Sequence, residues 1–168
     1  TERAREMELR VLRLATGSGN VAIHRVCAKL GFHRLAAFAP YAAEALREGT
    51  PPLMVLNETH YGAIMNWLGR SSLFRAGAGL FAQGWTWQEL TGKKMHSLLG
   101  AGQVVGLPKP DGSVAAFAIL GLGGSMGDPQ DGVQVGYADG EWQSLEPLAL
   151  ALRGLAAAST PPKVSLML

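Results

Sequence analysis

The sequence predicts an α/β fold of the mixed α+β kind, a largely antiparallel sheet flanked by helices and laid out as two incomplete copies of one plan. Three observations carry this. Short apolar runs such as VLRLA, VQVGY and KVSLML are interleaved with stretches whose apolar residues recur every three to four positions. A Pro-Asp-Gly turn stands between the apolar runs GQVVGL and SVAAFAILGL, a hairpin signal that makes neighbouring strands antiparallel. The last third reads strand, helix, strand, so both element types share one unit.

Taken in order, residues 2–8 read as the charged end of a helix. Residues 10–15 set Val11, Leu12 and Leu14 among arginines, as a half-buried strand does. Asn20 can cap the next helix, whose apolar positions Ile23, Val26, Cys27 and Leu30 fall at helical spacing, and Gly31 stops it. A strand over 33–39 runs toward Pro40. The Glu-Gly-Thr-Pro-Pro stretch at 48–52 marks a boundary, dividing the chain into 1–48 and 49–168. Beyond it a helix starts at Thr59, with Ile64, Trp67 and Leu68 as its apolar face. A second helix spans about 91–99 and is stopped by Gly100 and Gly102. The hairpin comes next, then a loop rich in Gly, Asp and Pro, then the strand VQVGY. A helix over 141–158 carries Leu145, Leu148, Leu152 and Leu155 on one side, and KVSLML after Pro161-Pro162 is the last strand. The chain opens inside an apparent helix and closes on a strand, so it is expected to be a fragment of a longer polypeptide.

Composition narrows the classes. With 48% apolar and 17% charged residues the chain is globular, not a disordered tail. A net charge of +2 without a basic block gives no indication of a nucleic-acid or anionic-membrane partner. The longest uncharged run, SVAAFAILGLGGSMG, is too short to span a bilayer. The single cysteine excludes an internal disulfide framework and fits a reducing, cytoplasmic compartment. His33, His60 and His96 have no partner at ligand spacing, so no metal site is expected.

The stretch TGSGNVAIHRVCAKLGF at 16–32 is the richest in chemistry. Gly17-x-Gly19-x-x-Ala22 is the skeleton of a dinucleotide fingerprint. That fingerprint needs an acidic residue about twenty positions on, at the end of the next strand. Glu44 comes late and lies beyond Pro40, whereas a flexible turn capped by Asn20 accounts for the glycines. Binding of NAD at this turn is kept as a third reading.

The same stretch resembles the GNAT superfamily of acyl-CoA N-acyltransferases, whose motif runs N-x-x-A-x-x-L-Y-x-x-x-G-F. Asn20, Gly31 and Phe32 stand at matching positions, with Ile23 at the alanine, Val26 at the leucine and Cys27 at the tyrosine. VLRLAT resembles the family's fifth strand. The resemblance covers about the first forty residues, and it implies that this strand splays from its neighbour to admit acyl-pantetheine, with acetyl-CoA as co-substrate. It implies cofactor contacts at Asn20, Ile23 and Arg25. Asn20 would bond either the ligand amides or the loop backbone, and Arg25 would either meet the nucleotide end or face solvent. Cys27 falls where the family's general acid stands, and it reads either as a thiol donor or as a small buried apolar residue. The acceptor implied is an amine of a small molecule or peptide, and a homodimer is an open option. Trp85 and Trp87 sit in an extended segment, as core packing or as an aromatic wall. The second segment resembles a GNAT-like copy in its element order, its Trp85-x-Trp87 approach and its strand-helix-strand ending, and a degenerate one because Asp139 and Glu141 occupy the helix start where a phosphate-holding loop belongs. The pyrophosphate loop of the first copy would lie upstream of Thr1, so the fragment alone is expected to be inactive. The rival reading is a non-catalytic binding or dimerisation module of the same fold.

Overall fold

The computed structural model describes residues 13–83, 86–111, 113–121, 132–159 and 162–167. The helix expected over 2–8, the opening of the strand expected over 10–15, and Trp85 lie outside the described residues. The chain divides into two compact units, Thr1–Arg34 and Leu35–Leu168.

In the first unit the described residues hold one helix, α1 (Val21–Lys29). Residues 13–15, the described part of the strand expected over 10–15, form no strand. Alternation alone does not make a strand. Its amides and carbonyls need a partner strand, and residues 13–34 supply none.

The second unit is built on a six-stranded mixed sheet. Its strands are β1 (Pro40–Glu44), β2 (Met54–Val55), β5 (Val104–Pro108), β6 (Val114–Leu120), β7 (Val133–Gly140) and β8 (Lys163–Met167). Their spatial order is β1-β8-β7-β6-β5-β2. Every neighbouring pair is antiparallel except β7 with β8, whose parallel register sets Val133 against Val164 and Val135 against Leu166. A parallel pair cannot be closed by a tight turn. Here α5 (Trp142–Leu155) makes the crossover. The hairpin, the strand VQVGY, the long helix and the final strand all stand where the sequence pattern places them.

One strand is shifted. Residues 33–39 are not in the sheet, and β1 begins at Pro40, where the expected strand would stop. The pairing of Pro40–Glu44 with Met167–Lys163 decides this, overriding local propensity. Proline is tolerated because it opens an edge strand, where a missing N–H leaves no ladder bond unmade. Through β1, residues that precede the Pro51-Pro52 turn belong to the same sheet as those beyond it.

The sheet has an apolar core on each face. On one face, Ile64 and Leu68 of α2 (Tyr61–Arg70) and Met95, Leu98 and Leu99 of α4 (Gly92–Gly100) pack with Val104, Phe117 and Ile119. On the other, Leu148, Ala151 and Leu152 of α5 pack with Val105, Leu107, Ala116 and Ala118. The strict alternation of Val104 with Val105, and of Phe117 with Ala118, is the two-residue period of a strand buried on both sides. Each large fully buried side chain, Phe81, Leu56 or Ile64 among them, contributes roughly 2 kcal/mol of apolar burial.

β7 breaks the alternation, and the break sets the orientation of its last four residues. Val135 faces the α5 core, while Tyr137, two residues on, faces the other. The pairing with β6 jumps from Leu120 opposite Val135 to Ile119 opposite Tyr137, so Gly136 is an extra, bulged residue. The strand β3 (Leu80–Gln83) crosses at this point, and a Cβ on Gly136 would overlap the Ala82 carbonyl oxygen. β3 and β4 (Thr86–Glu89) form a separate antiparallel hairpin. Neither that hairpin nor the short helix α3 (Ser72–Ala76) nor β2 is signalled by the sequence pattern. The start of α2 lies just beyond the expected Thr59, because a 3₁₀ turn over Glu58–His60 precedes the helix. There the Asn57 side chain accepts from Thr59 N–H, and Asn57 N–H donates to the His60 ring.

Candidate functional site

The motif residues of 16–32 are assembled by α1. Asn20 is its N-cap: Oδ1 accepts the Ile23 N–H at 3.2 Å. The Asn20 N–H donates to the Gly17 carbonyl at 3.0 Å, and His24 Nε2 reaches the same oxygen at 3.1 Å. A carbonyl only accepts, so Nε2 is the protonated nitrogen in this contact. At the far end Gly31 takes φ of +81°, the left-handed conformation that suits glycine. Its N–H bonds the Ala28 carbonyl at 3.1 Å, and the Phe32 N–H bonds the Cys27 carbonyl at 3.0 Å. This pair of bonds is a Schellman stop. The spacing from Asn20 to Gly31-Phe32 is thus the length of one helix, from its cap to its stop.

The four sequence-chosen site residues do not all converge. At about 100° per residue, Ile23, Val26, Cys27 and Leu30 line one stripe of α1, whereas Arg25 projects from roughly the opposite side. Cys27 is a free, half-buried thiol. None of the helix is buried: Val26 is 51% exposed and Leu30 70%. Asn20 is exposed as well, and its Oδ1 is committed to the Ile23 N–H in the first turn of α1. The splayed strand pair is not present among the described residues 13–34.

The second unit separates the two carboxylates that the sequence sets together at the start of the long helix. Asp139 turns inward and is 7% exposed. Its Oδ2 accepts from Ser71 Oγ–H at 2.5 Å and Tyr137 Oη–H at 2.6 Å, and Oδ1 accepts the Gly140 N–H at 2.8 Å. Ser71 in turn caps α3 by accepting the Phe74 N–H at 3.0 Å. The bulge at Gly136 puts Tyr137 and Asp139 on this face. Burial, and then the bond to Asp139, push the Tyr137 phenol far above its ordinary range, with the Ser71 hydroxyl opposing. Sequence reasoning sees Asp139 only as a helix-start charge, and Ser71, 68 residues away, gives no signal.

Glu141 is the residue before α5, yet its side chain does not cap the helix. It pairs with Lys109 of the hairpin turn at 2.5 Å. That hydrogen bond raises the Lys109 ammonium above its usual value, against a smaller effect of burial. A third polar group lies at the start of α2. Glu58 Oε2 meets His96 Nδ1 at 2.6 Å, and Tyr61 stacks on the imidazole at 3.8 Å. Trp87 packs on Phe38 with centroids 5.5 Å apart, and its indole N–H is buried without a partner among the described residues.

Among the described residues no three His, Cys, Asp or Glu side chains are grouped to hold a metal ion, and no described helix is long and apolar enough to cross a membrane. No protein-family model matches the chain, and no curated protein matches it with significance.

Proposed function

We propose that this chain is part of an acetyl-CoA-dependent N-acetyltransferase of the GNAT type, acting on an amine of a small molecule or peptide in the cytoplasm. The observation that carries the reading is the coincidence of motif and helix. The Asn-to-Gly-Phe spacing that resembles the family is bounded by a side-chain N-cap at Asn20 and a Schellman stop at Gly31-Phe32. The element order of the second unit, with β7, α5 and a parallel β8 at its end, supports the same fold resemblance.

In this reading the amine nitrogen attacks the thioester carbonyl carbon and gives up a proton as the C–N bond forms, the C–S bond breaks, and the departing thiolate takes up a proton. With Oδ1 held by the cap, Asn20 keeps its Nδ2 amide as a donor toward a ligand carbonyl. Ile23 and Cys27 share one stripe of α1, so one ligand arm meets both, with the Cys27 thiol at the donor position. Arg25 points away from that stripe and is left to the nucleotide end of the ligand or to solvent. Titration calorimetry on the full-length protein tests this. Micromolar binding of acetyl-CoA, in the range usual for enzyme substrates, is expected.

A second reading, a non-catalytic binding or dimerisation module, is favoured by one observation. The N-terminus of α5, where a helix dipole would serve a phosphate, carries the Glu141 carboxylate instead, neutralised by Lys109. Absence of acetyl-CoA binding in the full-length protein would favour this module.

A further inference from the structure

We draw no further inference here: the strongest candidate, the solvent-facing apolar stripe of Ile23, Val26, Cys27 and Leu30 along α1, carries nothing because nothing in the structure shows what covers it.

Discussion

Replacing Asn20 with alanine removes the acceptor for the Ile23 N–H and leaves the first turn of α1 uncapped. The expected cost is about 1 kcal/mol of local helix stability. Hydrogen exchange would register this as roughly fivefold to tenfold faster exchange of the α1 amides, while Asn20→Asp, which still caps, leaves them unchanged. Tyr137 supplies a second test. Its phenol keeps its proton in the folded protein at pH values where an unfolded tyrosine, near 10, has lost it. The folded state therefore binds more protons at Tyr137 above about pH 10, so this group lowers stability as pH rises beyond that value and contributes no pH dependence below it. Tyr137→Phe deprives buried Asp139 of a donor and is expected to cost about 1–3 kcal/mol at neutral pH. It also flattens the alkaline limb of urea midpoints; an unchanged alkaline slope would mean that Tyr137 is not the group responsible. Ala78 is the one non-glycine among the described residues with positive φ, +54°. Ala78→Gly relieves that strain and is expected to raise stability by roughly 0.5–1 kcal/mol, after the extra chain entropy of glycine is subtracted.

Among the elements, the bulge in β7 sets the geometry most sharply. Gly136 lets β3 pass against β7 and turns Tyr137 and Asp139 onto the face where Ser71 waits. Gly136→Ala drives a methyl into the Ala82 carbonyl. Overpacking against backbone is expected to cost about 3 kcal/mol, read as a fall in the urea midpoint, and a neutral result would place β3 elsewhere. The sequence does not reveal this bulge, because VQVGY reads as an uninterrupted strand and the extra residue appears only in the pairing with β6. The helices are easier to read. Ile64 and Leu68, and Leu148 and Leu152, recur at helical spacing and are buried where that spacing puts them. Strands whose partner lies far along the chain are harder. Residues 13–15, the described part of VLRLA, form no strand, while Pro-Tyr-Ala-Ala-Glu has poor strand propensity and becomes β1 because β8 lies beside it.

For the molecule as a whole, the mixed sheet and its strand-helix-strand ending are readable from the chain, since turn chemistry and periodicity are local signals. The candidate site is readable in part. The cap and stop of α1 both follow from residue type, Asn20 by its short acceptor side chain and Gly31 by its freedom at positive φ. The inward turn of Asp139 does not, because its partners come from α3 and from beyond a bulge. The functional account rests on α1 forming one wall of an acyl-CoA site. The most direct measurement is calorimetric titration of acetyl-CoA into the full-length protein, wild type beside Asn20→Asp, which preserves the cap while replacing the Nδ2 donor with a negatively charged carboxylate oxygen. The account predicts micromolar binding by the wild type and at least about tenfold weaker binding by the variant, about 1.4 kcal/mol, with α1 exchange unchanged. Equal affinity in the two proteins, or no binding by the wild type, would contradict it.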